Sequence, residues 1–226
     1  HDNVGNVEDP PVDQIPDATA TVGLAENTAA FRAGVSMVSL PVAPTNTDPA
    51  SLGFQADRWA RWDPFTQQYV YYNNDAGHYT WFDPPGEAVG KGYWACFEQD
   101  AQVAIAGAAV DDGAEYVVSV DPGPNGGWVQ IGCPRRSAVP WITDGEGCIK
   151  VRWQGQEMSL HNAARMFEQS EGSGSYRTIC SDYAWGYERE RGYFFVVDPQ
   201  FEEWPNWCDH LSPWAGYWLR VFEPCE

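Results

Sequence analysis

Lysine occurs only twice in the 226 residues, at Lys91 and Lys150, and the basic complement totals 13 against 32 acidic residues, a net charge of −19. Nucleic-acid affinity comes from Lys and Arg releasing phosphate counterions, so DNA, RNA and anionic membrane surfaces are excluded as principal partners. Long apolar runs are also missing. The longest, Val103 to Val110, is far short of the roughly 20 residues of a spanning helix, so no membrane insertion is expected. Catalytic signatures are lacking as well. The four histidines, His1, His78, His161 and His210, stand in unrelated contexts without H-E-x-x-H, and no G-x-S-x-G is present. Gly172-Ser-Gly-Ser175 lacks the Lys of a phosphate loop and reads as a plain loop. Carboxylates are so numerous that none is singled out as an acid or base, and no enzymatic activity is expected.

The six cysteines, Cys96, Cys133, Cys148, Cys180, Cys208 and Cys225, contain no C-x-x-C pair and have no histidine at zinc-ligand spacing. They are therefore expected to form disulfides, with the pairing open among 15 possibilities. Disulfides persist in oxidising compartments, so the expected location is extracellular or the cell surface. The chain's start at His1 fits the removal of a signal peptide. No N-x-[ST] sequon occurs. No cofactor is expected. The only cation candidates, Asp111-Asp112-Gly113 and Asp144-Gly-Glu-Gly147, do not follow a calcium-loop spacing and read as solvated turns.

What the chain does have is aromatic weight, with 12 Trp, 11 Tyr and 10 Phe, and a strong strand pattern. Val103–Gly107, Tyr116–Val120, Ile149–Trp153 and Tyr217–Phe222 are rich in β-branched and aromatic residues, with turn clusters such as Asp83-Pro-Pro-Gly86 between others like them. A mainly β fold is expected. One short amphipathic helix is predicted after Ser159, a cap, with Leu160, Ala163, Ala164 and Phe167 on one face. A single helical turn is expected at Ser51-Leu52. Residues 1–30 form an arm. Its first part is Asp- and Pro-rich and too poor in apolar residues to order itself, whereas Ala18, Ala20, Val22 and Leu24 alternate with smaller or polar residues, as in a strand over 18–25.

Beyond the arm lies an internal repeat. Gly34-Val-Ser-Met-Val-Ser-Leu-Pro41 matches Gly127-Trp-Val-Gln-Ile-Gly-Cys-Pro134, and Gly92-Tyr93-Trp94 matches Gly216-Tyr217-Trp218. Arg61-Trp62-Asp63-Pro64 with Gln68–Tyr72 corresponds to Ala184-Trp185-Gly186 with Gly192–Val196, and the second copy carries additional residues between Cys133 and Trp185. Two tandem β-sandwich-like or barrel-like units are expected over 31–121 and 122–226.

These landmarks resemble a module of secreted and surface bacterial proteins that opens with Gly-Trp-Asn-Leu-Ile-Gly-x-Pro and closes with Pro-Gly-Lys-Gly-Tyr-Trp. The opening is matched by Gly127, Trp128, Ile131, Gly132 and Pro134, and the closing by Gly90-Lys91-Gly92-Tyr93-Trp94. The first copy departs from the pattern with Val35 in place of the Trp, and the cysteines lie outside it. The resemblance implies an extracellular structural or adhesive unit without catalytic residues.

Two functions follow as expectations. The first is a subunit of a pilus-like extracellular filament, joined head to tail to copies of itself, in which Ala18, Ala20, Val22 and Leu24 are donated as a strand to a neighbour; the arm could instead fold back on its own body as an edge strand. The second is a carbohydrate-binding or adhesion module. There Trp204 and Trp207, in the turn Glu203-Trp-Pro-Asn-Trp207, are the expected sugar-stacking residues, while Trp59, Trp62, Trp81, Trp94, Trp153, Trp185 and Trp218 are assigned to the core.

Overall fold

The computed structural model describes residues 25–46, 48–52, 54, 58–71, 88–111, 113–166, 178–200 and 206–226. The fold is mainly β, with several antiparallel sheets. In the first half, strands β2 (Gly34–Ser39), β4 (Trp59–Asp63), β5 (Gln68–Tyr71) and β6 (Gly92–Phe97) form a sheet in the order β2-β6-β4-β5. In the second half, β8 (Gly127–Gly132), β12 (Cys180–Glu188), β13 (Gly192–Val196), β14 (Trp207–Cys208) and β16 (Gly216–Val221) are ordered β8-β16-β12-β13-β14. The two sheets thus share one order, the second adding β14 at its edge.

They share register too. Gly34 faces Phe97 and Ser39 faces Gly92 in the first, while Gly127 faces Val221 and Gly132 faces Gly216 in the second. The duplicated Gly-Tyr-Trp strands therefore hold equivalent places. The hairpins correspond with a shift of two from the sequence matching. Trp62 faces Tyr69 as Tyr187 faces Tyr193, and Trp185, opposite Trp218, takes the place of Ala60, opposite Trp94.

The remaining elements close the two sheets differently. Over the first lies a three-stranded sheet, β1 (Ala25–Phe31), β7 (Ala101–Ala109) and β3 (Val42–Pro44), ordered β1-β7-β3, with a 3-10 turn at Pro49–Leu52. Val42, Leu52, Phe54, Trp59, Tyr93, Val103 and Ile105 are buried together there. Over the second lie β9 (Val139–Pro140) paired with β15 (His210–Leu211), the hairpin β10 (Lys150–Trp153) and β11 (Gln156–Ser159), and helix α1 (Leu160–Arg165). The helix forms where its cap predicts: Ser159 Oγ accepts from the Asn162 N–H at 3.2 Å, and Leu160 and Ala163 are buried. Asp198 is buried, and its carboxylate accepts from the Thr143 N–H at 2.7 Å and from its hydroxyl at 3.1 Å.

Two expectations are corrected here. Tyr116–Val120 joins no sheet ladder. Its strand-forming composition finds a single bridge, Val120 to Cys225. All six cysteines are free thiols rather than disulfides. Cys133 donates to the carbonyls of Arg135 and Ser137 at 3.5 Å, Cys208 to that of His210 at 3.4 Å, and Cys96 lies 3.8 Å from the Arg58 guanidinium. The first described strand, β1, starts at Ala25 and pairs with β7 of its own chain; the expected donor residues Ala18, Ala20, Val22 and Leu24 lie outside the described residues.

Candidate functional site

The two sheets meet by a reciprocal exchange. Gly132 N–H donates to Gly90 O at 2.8 Å, and at the matching positions Ser39 N–H donates to Trp214 O at 2.9 Å. Lys91 bridges Ile131, and Ala215 bridges Val38. This is the pattern of a two-fold contact, in which each half presents the same patch to the other. Close approach needs small residues: a Cβ on Gly92 would lie 2.5 Å from Ile131 O, and one on Gly132 would lie 2.2 Å from Ser39 Cβ.

The exchange brings aromatic side chains of both sheets together on their outward faces. On β8 and β16, Trp128, Gln130, Trp218 and Arg220 alternate with the inward Val129, Ile131, Tyr217 and Leu219, as the period of two requires. Tyr183, Trp185 and Tyr187 of β12 and Tyr193 and Phe195 of β13 continue that face. From the first sheet come Trp62, Tyr69 and Trp94. The contacts across the junction are again reciprocal: Trp62 meets Trp218 edge-on at 5.5 Å, and Tyr187, the counterpart of Trp62, meets Trp94, the counterpart of Trp218, at 5.4 Å. Gln130 ties the junction, its Oε1 accepting from the Trp62 backbone N–H at 2.8 Å.

At this junction Trp62, Tyr69, Trp128, Trp185, Tyr193 and Trp218 line an open concavity of about 360 Å³. Among the described residues, no aliphatic or charged side chain contributes to its wall. Tyr193 is 54% and Tyr69 38% exposed, so the surface is wet rather than core. Its rings are set at steep angles, Trp62 to Tyr69 at 71° and Tyr69 to Trp218 at 72°, which fixes each by its neighbours' edges. Burial pushes the Tyr69 phenol above its ordinary value, and the neighbouring Tyr193 and Tyr71 add to the rise. The described lining of the concavity holds no Asp, Glu, Lys, Arg or His. Arg220 stands at its margin, over Trp128 at 5.7 Å. Among the described residues, Trp62 Nε1 and Gln130 Nε2 are buried donors without a protein acceptor.

Such a wall offers flat, apolar faces and few fixed charges. It suits a ligand with a flat apolar side and neutral polar edges, and it has no group poised for acid, base or nucleophilic work.

The expected stacking pair is not among the described residues that line this surface. Trp204 lies outside the described residues, and Trp207 sits half-buried on the edge strand β14, where its carbonyl accepts from Arg191 at 2.7 Å. Three tryptophans assigned to the core, Trp62, Trp185 and Trp218, instead line the concavity, whereas Trp59 is 1% exposed and does belong to the core. Trp81 lies outside the described residues. The signal that distinguishes the two sides was present: Gln130 and Arg220 share strand parity with Trp128 and Trp218, and a core face would not hold them. Asp111 of the cation candidates caps the Gly113 N–H at 2.9 Å, and no group of three or more potential metal ligands occurs among the described residues. Among those residues no helix is long and apolar enough to cross a membrane. Comparison of the chain with protein-family models, with curated proteins and with solved structures returns no match in any of the three.

Proposed function

We propose that this chain is an extracellular carbohydrate-binding module that takes neutral glycans on the aromatic concavity at the junction of its two sheets. The observation that carries this reading is the composition of that wall: six aromatic rings from two sheets, open to water and free of charged side chains. Contiguous exposed apolar surface is costly to keep unless a partner covers it. A pyranose ring has one face of C–H groups that packs on an indole, while its hydroxyls remain at the rim in water. Trp218 and Trp185, opposed across β16 and β12, form the floor, and Tyr69 and Tyr193 form the exposed margins. The net charge of −19 disfavours acidic polysaccharides and leaves neutral ones.

The test is a glycan array followed by calorimetry with the best neutral oligosaccharide. Trp218→Ala and Trp185→Ala are expected to weaken binding about ten-fold each, the loss of roughly 1–2 kcal/mol of ring contact, with Trp207→Ala unchanged. Absence of binding to any neutral glycan, or full affinity in both variants, would refute the proposal.

A further inference from the structure

Cys180 opens β12 in the second core, and Cys225 is the penultimate residue, half-buried. The C-terminal segment is fastened beside that strand by main-chain hydrogen bonds. Phe222 N–H donates to Ile179 O at 2.8 Å, Cys225 and Val120 exchange bonds of 2.9 and 3.0 Å, and Glu226 and Arg152 exchange bonds of 3.0 and 2.6 Å. Both cysteines pack in one apolar cluster and line one cavity of about 540 Å³. Each thiol lies near enough to the other to shift its ionisation. Cys133, Cys208 and Cys96 are instead directed to carbonyls or to an arginine.

We propose that Cys180 and Cys225 are a redox pair that closes to a disulfide and ties the C-terminal segment to the second core. The oxidant is a small-molecule disulfide such as oxidised glutathione. The Cys225 thiolate attacks one of its sulfurs, the oxidant's S–S bond breaks, and one thiolate leaves. Cys180 then loses its proton to water, its sulfur attacks Cys225 Sγ, and the second thiolate departs. Two protein thiols are oxidised and one disulfide is reduced to two thiols. The order follows from access and acidity. Cys225 is the more exposed, and the contact with Cys180 holds its thiol below the ordinary value, whereas that same contact and then burial push Cys180 up. Capture of Cys225 in the mixed disulfide removes the neighbour whose contact raises Cys180 most, and its charge with it, and frees Cys180 to attack.

The full chain is equilibrated across a series of glutathione redox ratios, alkylated, and mapped by non-reducing peptide mass spectrometry, with Tm measured in parallel. A cross-linked Cys180–Cys225 peptide is expected, with Tm about 5–10 °C higher in the oxidised than in the reduced protein. Cys225→Ser, at a half-buried position near the terminus, is expected to abolish the shift, and Cys96→Ser to leave it intact. Full alkylation of both thiols under oxidising conditions would overturn the proposal, as would a cross-link of Cys225 to any other cysteine.

Discussion

The four-stranded and five-stranded sheets have the same order and the same register but are closed by different elements, and the difference concentrates at one pair of equivalent positions. Gly90 and Trp214 both precede the Gly-Tyr-Trp strands and both have positive φ, 79° and 67°. In the first half a side chain there would strike Val118 and Tyr116. In the second half the indole of Trp214 crosses over and is buried in the first half's core against Phe31, at 6.1 Å. The main-chain ladder thus sets the scaffold, and the apolar lids vary around it. The junction keeps its main-chain hydrogen bonds in both halves while the side chains at Gly90 and Trp214, and at Ser39 and Gly132, differ.

The sharpest way to break the comparison is at the junction. Ser39 and Gly132 are equivalent, yet a Cβ on Gly132 would lie 2.2 Å from Ser39 Cβ and 2.6 Å from Lys91 O. Gly132→Ser, which makes the halves formally more alike, is expected to destabilise by about 3 kcal/mol through overpacking. Adding Ser39→Gly should recover part of that loss. Denaturant titration of the two variants measures both effects, and a neutral Gly132→Ser would mean that the halves do not meet as described.

Trp214 offers a second test of comparable size. Removing its side chain forfeits about 3–5 kcal/mol of aromatic burial, but glycine relieves the left-handed backbone while alanine does not. Trp214→Gly is therefore expected to destabilise by about 2–4 kcal/mol and Trp214→Ala by about 1 kcal/mol more, the reverse of the usual preference for alanine. Thermal melts of the two variants decide it. Equal losses would show that φ at this position relaxes freely.

How far the sequence discloses this arrangement depends on the range of the interaction concerned. The Ser159 cap is local, three residues from the amide it accepts, and the helix follows it. The Gly-Tyr-Trp landmarks carry their own register, so the mainly β fold and the matching strands were legible. Tyr116–Val120 was misread because β-forming side chains do not supply a partner strand. The aromatic wall was missed for a similar reason: Trp185 and Trp218 are flanked by apolar neighbours on both faces, and only the polar residues of the same parity, Gln130 and Arg220, mark the wet side. The Cys180–Cys225 contact joins strand β12 to the chain's end and has no spacing rule at all.

The smallest effect lies in the hairpin turns that carry Trp62 and Tyr187 into the junction. Asp63 ends β4 as Glu188 ends β12, but the two turns are built differently. The second returns through Gly192 at φ 76°, the first through Gln67 at φ 54°, with Asp63 bonding its own loop. The Asp63 carboxylate accepts from the Phe65 N–H at 2.9 Å and the Thr66 hydroxyl at 2.9 Å. Burial opposes ionisation, but these hydrogen bonds, with Arg61 nearby, outweigh it and hold the group below its ordinary value of 3.8. A lowered carboxylate stabilises the fold above its unfolded value, and that contribution disappears as pH falls through the lower folded value. Acidification below about pH 3.8 should therefore loosen the first hairpin before the second. Amide exchange at Phe65 and Thr66 is expected to accelerate ahead of that in residues 189–191. Asp63→Asn should remove this difference at a cost of about 0.5 kcal/mol. It should also weaken glycan binding slightly, because Trp62 and Tyr69 enter the concavity from this turn. Exchange in the two hairpins that stays equal across the acid range would mean that the Asp63 loop contributes nothing to holding Trp62 in place.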